Sequence, residues 1–305
     1  MAELILHHHD PSPFAEKIRL VFGLKNLEWS SVQVPMIMPK PDLTALTGGY
    51  RKAPVLQVGA DIYCDTSLIA RELEARFPSP TLFPSGRTGL AYALSRWSDK
   101  AFFEPGAGLS MGENDAIPEP VLKDRSEFFN FMDFGDMAPQ MPHFYAQFQA
   151  QCQLLEDELV AAGMPFLGGD APSWTDIQAY FSVWMANGNI PRAEELLSPF
   201  PAIGAWSARM EGIGRGQRSD IEAEVALTVA ASAEPSGGSG VDGNPFHDFS
   251  TGDAVAVVPD DYGFDAVEGQ LVTLNQHRIA VRRNAGDLGD IVVHFPRIGY
   301  RVDAA

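Results

Sequence analysis

A serine–proline pair stands where a short apolar strand passes into an amphipathic helix. The run 4–6 suits a buried strand. The apolar residues after the pair recur at helical spacing: Phe14, Ile18, Val21 and Phe22. Ser12 is a favoured N-cap and Pro13 suits the first helical position. The hydroxyl would lie at the positive end of the helix dipole, which stabilises an anion such as a thiolate. For an isolated Ser-Pro pair, a simple cap is the preferred interpretation.

The first 78 residues predict the element order β-α-β-α-β-β-α of a thioredoxin-like domain. A second strand is expected at 29–34, and a helical turn at 42–46 before a Gly-Gly pair. A hairpin is expected within 53–64, followed by a helix over 65–77 that ends before a proline.

The opening of the chain resembles that of the cytosolic glutathione S-transferase family. The resemblance is carried by Pro-Ser-Pro-Phe at 11–14 and Lys-Ile-Arg at 17–19, and two more places repeat it. Ala53-Pro54 matches the family's cis-proline, and Asp65-Thr66 matches its acid–hydroxyl pair at a helix start. Three such sites at family-like spacing favour a ligand site over three unrelated turns and caps.

The resemblance implies a role for each of these residues. Ser12 would be the catalytic residue, donating a hydrogen bond to the sulfur of bound glutathione, the co-substrate. Serine in place of cysteine makes disulfide exchange through an enzyme thiol unexpected at this position. The further glutathione-binding residues would be Ala53 and Pro54 for the peptide backbone, Asp65 for the ammonium and Thr66 for the γ-glutamyl carboxylate. Apart from the resemblance, Lys40, Arg51 and Lys52 lie near the expected pocket and could meet the glycyl carboxylate. Of these only Lys40 is named as a glutathione-binding residue, and Arg51 and Lys52 are expected to be solvated surface charges.

Residues 86–232 are expected to form an all-helical, substrate-binding domain. Helices are predicted over 90–104, 121–134 and 139–162, with a long Gly- and Pro-rich loop over 105–120.

Two stretches of this region resemble motifs of the family's helical domain. One is 166–177, in which Ser173 and Asp176 have capping-box spacing, and the other is 201–210. The resemblance gives Asp176 a role in folding, not in catalysis.

Aromatic and methionine side chains crowd the middle of the chain. They are Met111, Phe128, Phe129, Phe131, Met132, Phe134, Met137 and Met141. Two interpretations stay open: a buried core, or the lining of an apolar substrate pocket.

The chain continues beyond the usual two-domain pattern. An alanine-rich helix over 220–233 and a flexible linker over 235–240 are predicted. Short strands are then expected at 254–258, 270–274, 278–282 and 290–295. They predict a small β-barrel-like domain over 245–305, of unknown role, that docks on the helical domain because it is small to be stable alone.

Composition excludes several classes of function. The net charge of −18 argues against a nucleic-acid partner or an anionic membrane surface. Two cysteines make no disulfide framework, which suits a reducing cytoplasm. No apolar run approaches the roughly 20 residues of a membrane span, and no secretion signal is visible. Consecutive strand residues alternate in direction, so His7-His8-His9 is not expected to bind a metal.

The resemblance therefore implies a glutathione S-transferase with a fold that is α/β plus all-α, and the C-terminal strand pattern adds the small β-barrel-like domain. The enzyme would conjugate the thiolate of glutathione to an apolar electrophile, as a cytoplasmic homodimer in detoxification. No metal cofactor is expected. One alternative is glutathione-dependent ether cleavage or dehalogenation in the same fold. The other is a non-catalytic binding or scaffold protein, since fold alone does not establish activity.

Overall fold

A computed structural model describes residues 3–305. The chain forms two compact units. The sheet unit consists of the residues up to Asp10 together with 28–72 and 218–305. The helical unit consists of 11–27 and 73–217.

All strands of the described residues join one sheet. They are β1 (Ile5–His8), β2 (Glu28–Gln33), β3 (Val55–Val58), β4 (Asp61–Cys64), β5 (Gln217–Asp220), β6 (Gly240–Val241), β7 (Ala254–Pro259), β8 (Val267–Leu274), β9 (Arg278–Asn284), β10 (Asp290–Pro296) and β11 (Tyr300–Ala304). Their order is β11-β7-β8-β9-β10-β4-β3-β1-β2-β5, and β6 pairs with β8.

The α-helices alternate with strands at the N-terminus and follow one another in the middle of the chain. They are α1 (Pro13–Leu24), α2 (Pro41–Thr47), α3 (Thr66–Arg76), α4 (Thr88–Arg96), α5 (Phe103–Glu113), α6 (Glu119–Phe128), α7 (Met141–Ala162), α8 (Trp174–Asn189), α9 (Ala193–Leu197), α10 (Pro201–Glu211) and α11 (Ala223–Ala231). A π-helical segment, Trp97–Phe102, joins α4 to α5, and short 3₁₀ turns lie at Ala138–Gln140 and Gly286–Leu288.

The first four strands, β1–β4, have the thioredoxin-like arrangement that the sequence predicts. Strand β1 pairs in parallel with β2 and antiparallel with β3, and β3 forms a hairpin with β4. The predicted order β-α-β-α-β-β-α is therefore confirmed. The C-terminal strands are present as an additional sheet region.

The C-terminal strands continue the N-terminal sheet. Strand β10 pairs in parallel with β4, with Val293 opposite Ile62. One apolar core joins both parts, since Val55 and Ile62 share it with Val281 and Phe295. Strand β4 would otherwise be an open edge with unpaired backbone groups, and β10 covers it. The expectation that this region docks on the helical domain is wrong. The domain boundaries at 78, 86–232 and 245–305 remain a prediction about independent folding.

The segment predicted as a flexible linker is hydrogen-bonded to the sheet. The backbone N–H and hydroxyl of Ser236 both donate to the carboxylate of Asp61, the hydroxyl at 2.6 Å. The N–H of Ser239 donates to Thr273 Oγ1 at 2.8 Å. Gly238 has φ +79° and lies so close to the backbone of Val272 that no Cβ would fit. In segment 235–240 the glycine and serine residues therefore allow close packing against the sheet.

Helix α5 occupies most of the stretch predicted as a Gly- and Pro-rich loop. A Cβ on Gly108 would lie 2.7 Å from the Phe144 ring. A Cβ on Gly112 would overlap the Met141 side chain. These glycines allow α5 to pack closely against α7, so tertiary packing outweighs their low helix propensity.

The helix predicted over 121–134 ends earlier, at Phe128. The chain then turns at Asp133, whose carboxylate accepts the N–H of Gly135 at 2.8 Å. The Gln140 side chain binds both the N–H and the carbonyl of Asp133. These local bonds compete with helical ones and explain the shorter helix.

The predicted capping box of α8 is confirmed. Ser173 and Asp176 satisfy each other's backbone N–H groups. The same carboxylate accepts the indole N–H of Trp206 at 2.9 Å, so the two helical motifs meet at Asp176.

Within residues 3–305, no helix is both long and apolar enough to cross a bilayer.

A buried histidine couples the sheet to α11. The Gln57 amide nitrogen donates to the Ala226 carbonyl at 2.8 Å, so its oxygen is left to accept from His7 Nε2 at 2.8 Å. His7 Nδ1 is buried and has no partner among the described residues. Protonating that nitrogen would bury an unpaired charge, and burial lowers the pKa of His7 to about 4. Burial also lowers the pKa of His294.

We expect folding stability to fall as the pH drops below about 6.5. Below that pH the unfolded histidines bind protons that the folded ones do not, so each contributes a slope of at most about 1.4 kcal/mol per pH unit. Urea unfolding of wild type and His7→Gln between pH 7 and 4.5 tests this, and the free energy of unfolding of the variant should depend less steeply on pH. An equal slope in both proteins would remove His7 from the effect.

Candidate functional site

Ser12 caps helix α1. Its Oγ accepts the N–H of Ala15 at 3.2 Å, and Pro13 occupies the first helical position. The side chain is 4 % exposed. Within residues 3–305 the hydroxyl hydrogen has no acceptor at hydrogen-bonding distance. Ser12 therefore combines a cap with an unused donor beside the helix N-terminus, where an anion is stabilised.

An aromatic and methionine cluster surrounds the first turn of α1. The Phe14 ring centroid lies 4.8 Å from that of Phe103 and 5.1 Å from that of Phe181. The buried members are Phe103, Ala107, Met111, Phe181 and Met185, and the half-buried members are Phe14, Ile117, Leu122, Phe129, Phe131, Met132, Phe134 and Trp184. Of the two interpretations, the inner members form a core, and the outer ones leave apolar surface available to a ligand.

Helix α1 also carries a fully buried cation, Lys17. Its ammonium binds the carboxylate of Asp99 and, at 2.7 Å, the side-chain oxygen of Gln178. It lies 3.9 Å from the centroid of the Phe181 ring. A buried charge with these partners fixes α1 among the helices.

A pocket of about 460 Å³ lies between α5 and α7. Its lining is part apolar and part polar: Ala101, Glu104, Pro105, Phe131, Pro139, Gln140, His143, Phe144, Gln147 and Gln151. Burial raises the pKa of Glu104. Phe131 belongs both to this pocket and to the aromatic cluster, so the two surfaces adjoin.

In the sheet unit, Ala53 and Pro54 precede β3. The peptide bond between them is cis, as predicted. Lys40 lies at the same loop, because its Nζ donates to the carbonyl oxygen of Arg51 at 3.0 Å. Lys40 is 4 % exposed and occupies the N-cap position of α2, where its side chain makes no capping hydrogen bond.

Asp65 and Thr66 form the turn from β4 into α3. Asp65 has φ +76°, which is uncommon for a residue other than glycine and recurs at functional sites. Its Oδ1 accepts the N–H of Ser67 at 2.8 Å, and its carbonyl accepts the N–H of Ile69. Thr66 is buried at the first position of α3. The start of this helix offers unpaired N–H groups to an anion.

The register of the strands places these residues of the sheet unit at one end of the β3–β4 hairpin. Val55 pairs with Cys64, so Pro54 and Asp65 flank the same end of the hairpin. His7 pairs with Val55, so β1 ends there too, and Ser12 follows four residues after β1 in the chain. The placement of Ser12 beside Asp65 and Thr66 stays a prediction.

Cys64 ends β4, next to Asp65, but it is no candidate nucleophile. It is fully buried, and burial together with the Asp65 charge raises the pKa of its thiol. Among residues 3–305 no cluster of three or more His, Cys, Asp and Glu side chains could hold a metal ion.

The C-terminal region adds contacts that sequence reasoning missed. The Tyr300 hydroxyl donates to Asp65 Oδ2 at 3.4 Å. Lys52, expected to be a solvated surface charge, pairs with Asp261 at 2.6 Å. No motif around either C-terminal residue signals these contacts.

Comparisons with known proteins agree with the fold. Residues 6–81 match the family described as glutathione S-transferase, N-terminal domain. A GST-like protein from Pseudomonas syringae is 37% identical, with all of both chains covered and a TM-score of 0.77. A search of curated proteins gave no significant match.

Two more distant structures share the fold alone. A glutathione S-transferase from Rhodospirillum rubrum is 21% identical over 68% of this chain and 87% of its own, with a TM-score of 0.54. A Tau class glutathione S-transferase from mango, Mangifera indica, is 17% identical over 68% and 88%, with a TM-score of 0.53.

Proposed function

Because the chain belongs to the glutathione S-transferase family, we propose that it conjugates glutathione to an apolar electrophile. The observation that carries the proposal is the hydroxyl of Ser12. It lies at the N-terminus of α1 next to an apolar cluster, and within residues 3–305 its hydrogen has no acceptor. A thiolate is an acceptor that this environment would stabilise.

In this proposal the end of the β3–β4 hairpin that carries Pro54 and Asp65 binds the tripeptide as co-substrate. The α3 N-terminus with Thr66 receives the γ-glutamyl carboxylate, and Asp65 pairs with the neighbouring ammonium. The backbone beside Pro54 receives the peptide part, and Lys40 is proposed for the glycyl carboxylate. Charge-assisted hydrogen bonds at both ends of the ligand would fix its sulfur.

Ser12 then acts on that sulfur. Its O–H donates to the thiolate, which lowers the thiol pKa, and the thiol proton leaves to solvent. The thiolate attacks an electrophilic carbon, a C–S bond forms, and either a leaving group departs with its electron pair or an activated double bond takes up the electrons and a proton. This proposed step uses no metal.

The outer aromatic cluster is the proposed surface for the electrophile. Phe129, Phe131 and Phe134 are half-buried rather than sealed in the core. Aromatic rings there would stack on a planar apolar substrate. We also propose a homodimer, as is typical of the family.

A conjugation assay with 1-chloro-2,4-dinitrobenzene, joined to retention on glutathione-agarose, tests the proposal. Retention with turnover is the expected result. Retention without turnover of this or other electrophiles, including aryl ethers and haloalkanes, would favour the binding or scaffold alternative. Absence of retention and of turnover would exclude a glutathione-dependent function.

We expect Thr66→Ala to weaken glutathione binding by about 1–3 kcal/mol, because the γ-glutamyl carboxylate loses a hydroxyl donor at a buried site. Calorimetric titration with glutathione measures the change. Thr228→Ala, which removes a hydroxyl bonded to its own helix in α11, is the matched control. An unchanged dissociation constant in Thr66→Ala would take this residue out of the site.

A further inference from the structure

Tyr300 is fixed inside the core of the sheet unit. It begins β11, where its backbone pairs with Pro259 of β7. Its side chain is 5 % exposed, and its ring centroid lies 5.3 Å from that of Phe295. A side chain packed in this way has little rotational freedom. Its hydroxyl is therefore held at a defined position.

Two phenols form a chain of hydrogen bonds that ends on Asp65. A carboxylate can only accept, so Tyr300 donates its hydrogen to Asp65 Oδ2 at 3.4 Å. The Tyr50 hydroxyl, 3.1 Å from that of Tyr300, is then the donor to Tyr300. Burial raises the pKa of both phenols well above 10, so both keep their hydrogens. Linked donors of this kind polarise and strengthen one another.

The two oxygens of Asp65 are held from opposite parts of the chain. Ser67 N–H binds Oδ1 from within α3, and Tyr300 binds Oδ2 from the C-terminal strand. Together they fix the plane of the carboxylate. Asp65 itself is half-buried, so it can still meet a ligand.

The same C-terminal region also contacts the loop before Pro54. Asp261 binds Lys52 Nζ at 2.6 Å, and the ring of Tyr262 lies 4.3 Å from that ammonium. Residues 260–300 thus contact both the loop before Pro54 and the turn at Asp65, the two segments at the hairpin end that is proposed to bind glutathione.

We propose that Tyr300 is a positioning residue for the ligand site: through Asp65 it orients the carboxylate that receives the ligand's ammonium group. The proposal rests on the proposed function, since it needs glutathione to bind at Asp65. It gives the C-terminal region a role in ligand recognition. Tyr50 in turn orients Tyr300, because its hydroxyl donates to that of Tyr300.

The experiment is calorimetric titration of wild type and Tyr300→Phe with two ligands. One ligand is glutathione, and the other is glutaryl-cysteinyl-glycine, which lacks only the γ-glutamyl ammonium group. Tyr300→Phe should raise the dissociation constant for glutathione about 5- to 20-fold, a part of the roughly 10- to 150-fold effect of one hydrogen bond to a charged group, because Tyr300 acts only through Asp65. The same substitution should change the dissociation constant for the glutaryl analogue by no more than about twofold, because the analogue has no ammonium group to pair with Asp65.

Tyr180→Phe is the matched control. Tyr180 is also buried and also donates to a carboxylate, that of Glu211 at 2.9 Å, but in the helical unit. It should change neither dissociation constant. If Tyr300→Phe fails to fold, Tyr50→Phe replaces it, with an expected rise of about two- to fivefold for glutathione alone.

The outcomes separate this proposal from the function on which it rests. Equal weakening of both ligands would mean that Tyr300 acts on the structure in general, and this would overturn the positioning role. An unchanged affinity for glutathione would overturn it too, with the proposed function intact. No binding of glutathione by wild type would overturn both.

Discussion

Ser12→Ala is expected to slow glutathione conjugation roughly 30- to 1,000-fold while leaving a folded protein that still binds the tripeptide. In the proposed site glutathione is held mainly by its γ-glutamyl end and its peptide backbone, and these contacts do not involve Ser12. The hydroxyl acts on the negative sulfur. Loss of one oriented donor to an anion costs ~2–4 kcal/mol of transition-state stabilisation, which corresponds to that range of rates.

The control for Ser12→Ala must separate the donor from the helix cap. Ser12 accepts the N–H of Ala15, and losing a cap costs about 0.5–2 kcal/mol of stability. Ser12→Asp keeps a capping acceptor but has no hydroxyl, and its charge repels a thiolate. Ser12→Thr keeps both the cap and the donor. We expect the aspartate variant to fold and to lack turnover, and the threonine variant to retain the most turnover.

The measurement is the ultraviolet absorbance of bound glutathione thiolate against pH, with initial rates on the same samples. In Ser12→Ala the thiol should lose its proton at higher pH than in wild type. The same titration curve and the same rate in both proteins would reduce Ser12 to a helix cap.

The local parts of the candidate site could be predicted from the sequence. The cap at Ser12 and the helix start after Asp65 are set by residues next to them in the chain. The contribution of Tyr300 could not be predicted, because 235 positions separate it from Asp65. Strand β10 pairs with β4, but β11, which Tyr300 begins, lies five strands from β4 in the strand order, so the contact depends on how the whole C-terminal region folds back. Strand order in a sheet this large is not set by local pattern.

Two of the errors in the fold have a common physical cause. Gly108 and Gly238 both stand in stretches that read as loop or linker, because glycine is a poor helix former and a flexible linker residue. In the structure both are places where another chain segment approaches too closely for a Cβ. Composition cannot distinguish glycine that confers flexibility from glycine that permits contact, since the difference lies in the approaching segment.

Asp176 lies where the two helical motifs meet, and five donors from the described residues converge on its carboxylate. They are the backbone N–H groups of Leu167, Gly168 and Ser173, the Ser173 hydroxyl and the Trp206 indole, at 2.6–3.2 Å. The side chain is fully buried, so water cannot replace a lost acceptor. Removing the carboxylate would leave these donors unsatisfied in the core.

Asp176→Ala is therefore expected to lower the free energy of unfolding by roughly 3–5 kcal/mol, the usual result of removing one partner from a buried charged network. Urea unfolding followed by far-ultraviolet circular dichroism measures it. Asp170→Ala, in the exposed turn just before α8, should stay within about 0.5 kcal/mol of wild type. Trp206→Phe removes a single donor, and in the Asp176→Ala background it should cost less than it does alone. Additive effects of the two substitutions, or a loss no larger than that of Asp170→Ala, would contradict the view that Asp176 links the two motifs.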